Sequence, residues 1–315
     1  MTLAPTSMYS HSITPKIVRA GEGQCLELRG EVRHQLLDAN DTSGAFALAR
    51  SRFQKGSGSP LHVHTREDEW FVILRGEFEF RFNDQIYRTQ TGDFVFGPRR
   101  VPHAYTCLTE DGELLIGVVG AGFEEFFRHL AVQQENGNRL DATAMRAVAA
   151  IFGVQFDSFE ALDAPESAPK MGDAFEAECL EAFGDRVRPL ISSGDTNRRF
   201  CLVESGVPSF IGPPLHVHEG EDEMFFILEG RYEFQIGDAR VQVGVGDTIF
   251  APRGVSHTFR VISCEPGRAL IFATPGGFDL FFRDCAQVWE RGEVSPPVLG
   301  AIAATHNLRF LLPDS

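Results

Sequence analysis

The sequence predicts a mainly β chain made of two copies of one barrel or sandwich domain, each copy closed by helices at its C-terminal end. Three observations lead there. The stretch "SPLHVHTREDEWFVILRGEFEF" at 59–80 returns as "PPLHVHEGEDEMFFILEGRYEF" at 213–234. Within a copy, short segments alternate apolar and polar residues with period two, as in "EFEFRF" at 77–82, and Gly and Pro separate them. Helical sequence, such as "FEEFFRHLAVQQENG" and "ATAMRAVAAIFG", then ends the copy.

The duplication sets the domain organisation. His62 and His216, Glu69 and Glu223, Pro98 and Pro252, and His103 and His257 all stand 154 positions apart. Gly122-Phe123 and Gly277-Phe278 stand 155 apart, so one residue has been inserted in a loop. A period this long means two copies of a domain rather than a solenoid. The expected boundaries are 1–157 for the first domain and 174–315 for the second. The Pro-, Ala- and acid-rich stretch "SFEALDAPESAPKMGD" at 158–173 is read as the linker. A length of 315 residues suits two domains at roughly 150 residues each.

Composition narrows the function class. The formal net charge is −15, and an acidic surface repels phosphate backbones and anionic lipid, so nucleic acid is not expected as a partner. No run reaches the roughly 18 apolar residues of a spanning helix. The six cysteines form no CxxC pair, and "MTLAPTSMYSHSITPK" has no apolar signal region. The expectation is a cytoplasmic protein with free thiols, either a monomer with an internal pseudo-dimer or a homodimer.

The repeated stretch also carries the candidate chemistry. Residues i and i+2 of a strand share a face. His62 and His64 therefore point one way, as do His216 and His218, while Glu69 and Glu223 stand on the next strand. His103 and His257 follow a Pro-Arg turn. Three imidazoles and a carboxylate at an apolar strand are costly unless paired or bound to a metal. Such a donor set suits one divalent transition metal per domain (Fe, Mn, Ni, Co, Cu or Zn) and does not suit Ca or Mg. His11, His34, His129 and His306 share no such pattern. Trp70 and Met224 alternate away from the histidines and are expected to pack between layers. Glu67, Asp68, Glu221 and Asp222 are expected in a solvated turn.

These residues resemble the cupin family, whose general pattern is G(X)5HXH(X)3-4E(X)6G followed by G(X)5PXG(X)2H(X)3N. Gly56, His62, His64, Glu69 and Gly76 match the first motif. Gly92, Pro98 and His103 match the second, with Arg100 and Cys107 in place of its later Gly and Asn. The second copy matches at His216, His218, Glu223, Gly230, Gly246, Pro252, Gly254 and His257, with Phe210 and Val261 as departures at loop and packing positions. The resemblance implies a bicupin, two tandem double-stranded β-helix barrels with a metal in each. Within the cupins the chain is similar to the flavonol-cleaving quercetin 2,3-dioxygenase bicupins. That likeness implies O2 and a small aromatic substrate as partners, His62, His64, Glu69 and His103 as ligands in the first copy, and Glu69 as general base, with Glu223 its counterpart. A sugar or small-acid isomerase or decarboxylase, or a non-catalytic binding protein, is the alternative. The acid-binding alternative needs arginines in the pocket, and Arg99 and Arg253 are its candidates if they turn inward.

Phe71, Ile73, Tyr105, Phe225 and Phe259 are the candidate pocket walls, because they share the strand faces of the ligands. Tyr105 and Cys107 share a strand face with His103, and their role is core packing or, alternatively, a pocket wall. Their equivalents in the second copy are Phe259 and Val261, a polarity difference that favours the first copy as the more specialised site. Glu69, beside Phe71 and Ile73, is expected to gain proton affinity through poor hydration unless a metal offsets it.

Overall fold

The computed structural model describes residues 13–311 except 29, 121, 139, 157–158, 160–161 and 183. Each copy is a barrel of two facing antiparallel sheets. In the first copy the larger sheet runs Asp93–Gly97, Asp68–Arg75, Gly112–Val119, Phe46–Phe53, Glu31–Leu37, Gln24–Leu28 in spatial order. The smaller runs Val154–Phe156, Gly58–His64, His103–Cys107, Glu77–Phe82, Gln85–Gln90. The second copy repeats both orders, from Thr248–Ala251 to Leu180–Ala182 and from Leu308–Phe310 to Ala239–Val243.

Each larger sheet has a seventh strand, and it belongs to the other half of the chain. Lys16–Val18 pairs with Thr248–Ala251 of the second copy. Lys170–Asp173, 154 residues later, pairs with Asp93–Gly97 of the first. The exchanged strands cover edges that would otherwise present unpaired backbone groups. Each also ties back by an ion pair: Lys16 Nζ to Asp41 Oδ2 and Lys170 Nζ to Asp195 Oδ2, both 2.6 Å.

The larger sheets pack face to face through a shared apolar layer that includes Phe46, Leu48, Trp70, Phe96, Phe200, Met224, Phe250 and Phe272. Trp70 and Met224 thus lie between the two barrels. The pairing there is reciprocal in volume. Trp70 sits opposite Gly117, and Met224 opposite Phe272. A Cβ on Gly117 would lie 2.0 Å from Trp70 Cε2, so only glycine admits the indole. The Trp70 ring then stacks on Phe272 at 5.7 Å between centroids. The helices do not join this interface. Glu124–Glu135 and Ala142–Ile151 lie on the first barrel, and Phe278–Glu290 and Pro296–Thr305 on the second.

The departures from the loop pattern are absorbed without changing the turns. Arg100 has φ 66° where Gly254 has φ 80°, and Phe210 has φ 65° where Gly56 has φ 78°. The position that truly needs glycine lies two residues further on. A Cβ on Gly58 would meet the Tyr105 carbonyl oxygen at 2.0 Å, and one on Gly212 the Phe259 carbonyl oxygen at 1.7 Å.

Candidate metal centres

Both sets of four side chains come together. His62, His64, Glu69 and His103 form one cluster, and His216, His218, Glu223 and His257 another, each with its donor atoms within 4.8 Å of one another. All eight are buried. In the first cluster Glu69 Oε2 lies 2.9 Å from His103 Nε2, 3.3 Å from His64 Nε2 and 3.8 Å from His62 Nε2. In the second, Glu223 Oε2 lies 2.8 Å from His257 Nε2 and 3.2 Å from His218 Nε2.

The surroundings fix which nitrogen faces inward. His62 Nδ1 donates to the Pro60 carbonyl at 2.9 Å and His103 Nδ1 to that of Val101 at 2.9 Å. His216 Nδ1 and His257 Nδ1 do the same to Pro214 and Val255 at 2.8 and 3.1 Å. A carbonyl only accepts, so each of these Nδ1 atoms carries a proton, and Nε2 is the atom turned to the cluster. The third ring of each set turns Nδ1 toward a carboxylate, His64 to Glu67 at 3.4 Å and His218 to Glu221 at 3.7 Å. This outer support of ligand imidazoles is the arrangement metal sites use. His62 Nε2 and His64 Nε2 stand 3.1 Å apart, and His218 Nε2 is buried with no hydrogen-bond partner. Buried, convergent donors of three imidazoles and a carboxylate fit a divalent transition metal, one per copy.

Proton affinities in the metal-free cluster are pulled apart. Burial pushes His62 down to about 4 and His216 to about 3, helped by the neighbouring imidazoles. Burial also acts on His64 and His218, but the Glu69 and Glu223 carboxylates outweigh it and raise both to about 9. Burial raises Glu69, yet the His64 charge and bonds from His103 and His62 prevail and hold it well below the usual carboxylate range. The sequence-based expectation that Glu69 gains proton affinity is therefore reversed: three imidazoles on one oxygen outweigh its lost hydration.

Two further expectations need correction. Glu67, Asp68, Glu221 and Asp222 are buried rather than solvated. Asp68 and Asp222 hold Arg99 and Arg253. Asp68 Oδ1 accepts from the Arg99 backbone N–H at 2.8 Å and Oδ2 from its guanidinium at 3.0 Å. Asp222 takes the same two bonds from Arg253 at 2.9 and 2.8 Å. These arginines are spent beside the ligand strand and do not turn into the barrels. Asp68 also pairs with Arg199 of the second copy, whose other arm reaches Glu166 at 2.8 Å. No sequence signal marked Arg199, which stands 131 residues from Asp68.

The candidate wall residues lie in the barrel interiors. Tyr105 packs edge-on to Phe53 at 5.6 Å and near Phe71 and Phe80 at 5.4 and 5.5 Å. Phe225 and Phe259 pack on Phe234 at 5.1 and 5.2 Å, and Ile73 is buried among the first copy's rings. Cys107 is buried, with its thiol donating to the Thr109 carbonyl at 3.2 Å. At the other side of each cluster stand aromatic rings that sequence reading passed over, Phe123 at 4.4 Å from the His64 ring and Phe278 at 4.7 Å from that of His218. Their place before the terminal helix was visible as the Gly-Phe pair, but its side-chain direction was not. His306 bonds Asp284 at 2.8 Å, His34 and His129 join neither cluster, and His11 lies outside the described residues.

Comparison with known proteins agrees with this geometry. A family profile for the cupin domain matches twice, at residues 49–119 and 207–273. The chain carries two cupin domains in tandem, a bicupin fold. It is 24% identical over 301 residues to quercetin 2,3-dioxygenase of Bacillus subtilis, covering 90% of this chain and 88% of that one. An uncharacterized protein of Methanocaldococcus jannaschii is 32% identical over 74 residues, covering 24% of this chain and 59% of its own. Among solved structures, oxalate decarboxylase of Bacillus subtilis superimposes with TM-score 0.61 at 15% identity, covering 98% of this bicupin and 92% of the decarboxylase. The quercetinase and the decarboxylase are enzymes acting on small molecules. Among the described residues, no helix is long and apolar enough to cross a membrane.

Proposed function

We propose that this bicupin is a metal-dependent dioxygenase that opens a flavonol-like, enolic aromatic substrate with O2, and that its first copy carries most of the turnover. The observation behind the proposal is a complete three-His, one-Glu cluster in a phenyl-lined interior, in a chain that matches a quercetin 2,3-dioxygenase over nearly its full length. His62, His64, Glu69 and His103 hold the metal there, and His216, His218, Glu223 and His257 hold it in the second copy. A bound divalent ion supplies Lewis acidity, lowering the pKa of an enolic hydroxyl. Glu69 places all its imidazole contacts on Oε2, which leaves Oε1 to accept the substrate proton. Phe71, Ile73 and Tyr105 exclude water behind it, and Phe225 and Phe259 do so in the second copy.

A second reading, decarboxylation of a small acid, draws on the likeness to oxalate decarboxylase. It requires a cation to hold the acid, and Asp68 and Asp222 already occupy Arg99 and Arg253.

The test loads the protein with each candidate metal and follows oxygen uptake on 3-hydroxyflavone under 18O2. Both labelled atoms should enter the ring-opened product. CO2 release from a small dicarboxylate, with no oxygen uptake on the flavonol, would replace this reading with the second.

A further inference from the structure

The two barrels share a ligand set but not an inner wall. In the first copy Glu69, Val118 and Ala47 form one row across three neighbouring strands. Two residues down the strands come Phe71, Ile116, Ala49 and Gln35, and two further down Ile73, Leu114, Ser51 and Arg33. Residues opposite one another in a sheet share a face. The strip Ala47, Ala49, Ser51 therefore leads from the ligand row to Arg33. In the second copy the same strip is Cys201, Val203 and Ser205, and it leads to Val187.

Arg33 is 2% exposed, and its five N–H donors are poorly used. Nε reaches Gln35 Oε1 at 3.4 Å and a terminal nitrogen reaches Glu31 Oε1 at 3.5 Å. Gln35 is itself fixed by bonds from its amide to the Leu37 and Leu48 carbonyls at 2.7 and 3.1 Å. The guanidinium lies over the Phe127 ring, 4.0 Å from its centroid. Beside it Ser51 Oγ and Glu31 Oε1 are buried with no hydrogen-bond partner. A buried guanidinium with so few bonds is expensive unless something else completes it. The apolar packing is interrupted here as well. Barrel and helix cores form one continuous cluster in the second copy but two separate clusters in the first.

We propose that Arg33 is a substrate-binding residue of the first copy, and that it receives an anionic oxygen, a carboxylate or ionised phenol, on the end of the substrate remote from the metal ligands. Gln35 is its positioning residue, and Ser51 adds a hydroxyl to the same oxygen. Arg33 stands four residues along the strands from the ligand row, roughly 13 Å at the strand rise, and three strands across from Glu69, roughly 14 Å at the strand spacing. That separation suits an extended molecule of several rings and not a two- or three-carbon acid. The inference rests on the dioxygenase reading for the aromatic nature of the substrate, but not for the anionic group.

Calorimetric binding to the metal-loaded protein tests it without turnover. The probes are 3-hydroxyflavone, its 4′-carboxylate, and malonate. The wild type should bind the carboxylated flavonol at least about tenfold more tightly than the neutral one, as a charge-assisted hydrogen bond allows. Arg33→Val, which installs the residue of the second copy, should bring that ratio to about one. Arg33→Gln, which keeps polar partners for Gln35 and Glu31, should do likewise if the valine variant fails to fold. No preference in the wild type, or a preference that survives a folded variant, overturns the proposal. Binding of malonate that depends on Arg33, with neither flavonol bound, would keep the Arg33 site and remove the aromatic reading.

Discussion

The two barrels differ least where the metal binds and most a few residues away. Their ligand clusters share the same four residue types, the same Glu-to-His contacts at the second and third histidines, and the Nδ1 bonds to backbone carbonyls. Their inner walls do not match: Arg33, Gln35, Tyr105 and Cys107 in the first copy stand where Val187, Pro189, Phe259 and Val261 stand in the second. Nor is their anchoring equal. Asp68 is shared by Arg99 and Arg199, whereas among the described residues Asp222 pairs with Arg253 alone. A ligand set is fixed by a few short strands and can persist in both copies. Polarity in a closed interior is costly, and the copies place it differently: Arg33 and Gln35 in the first, the Tyr232 hydroxyl and Asp185 in the second.

The largest expected difference between the copies is catalytic. Glu69→Gln keeps the shape of the side chain but cannot accept a proton. Turnover should fall by about 10²–10⁴-fold, the range of general-base contributions, while the histidines retain metal. Glu223→Gln should cost less. Steady-state oxygen uptake on metal-loaded proteins decides this, and a more damaging Glu223→Gln would invert the assignment of the active copy.

Metal content should treat the copies alike. The wild type should hold two ions per chain by elemental analysis, and the double variant His62→Ala, His64→Ala one. Uptake should also depend on pH in a definite direction. His64 and His218 are raised to about 9 in the metal-free protein, so below that value a proton must leave each cluster before the imidazole can ligate. Affinity should therefore rise by up to about tenfold per pH unit toward pH 9, with proton release measurable in weakly buffered solution. A flat profile between pH 6 and 9 would contradict the ion-paired cluster.

The inter-barrel layer predicts a smaller effect, in stability. Gly117→Ala drives a Cβ into Trp70 and should cost about 1–3 kcal/mol, the usual penalty of overpacking. Combining it with Trp70→Met, the residue the second copy carries, should recover part of the loss. Denaturant unfolding of the two variants measures both.

The last effect is read as a pH dependence and concerns an acid at the far end of the second barrel. Burial raises Asp185 from 3.8 to about 7. The folded state thus holds a proton that the unfolded chain gives up, so this group favours folding below pH 4 and loses that contribution as pH rises to about 7. Asp185→Asn should flatten the dependence of unfolding free energy on pH across that window. An unchanged slope would show that the carboxyl is hydrated.

Much of this was legible before the fold was known, because it is local. Strand periodicity places i and i+2 on one face, so His62 with His64 and His216 with His218 followed from spacing alone. The 154-residue offset then made each cluster a check on the other. The acidic runs were misread for an equally physical reason. Four polar residues before a strand usually face water, and nothing near "REDE" announces that Asp68 will meet Arg99 and, from the other copy, Arg199. The terminal helices were expected either to cap the barrels or to join the copies, and only packing shows that sheets meet sheets.

The sequence by itself determined the duplication, the mainly β class and the eight metal-binding side chains, since these depend on short-range geometry and on repetition. Only the tertiary structure decided that Lys16–Val18 and Lys170–Asp173 cross to the opposite barrels, and that Arg33 is enclosed rather than exposed. An alternating strand has two faces, and local chemistry cannot say which is covered. For "EVRHQLL" the enclosed face is the charged one, because helix Glu124–Glu135 places Phe127 over Arg33 while Val32 is left at the surface.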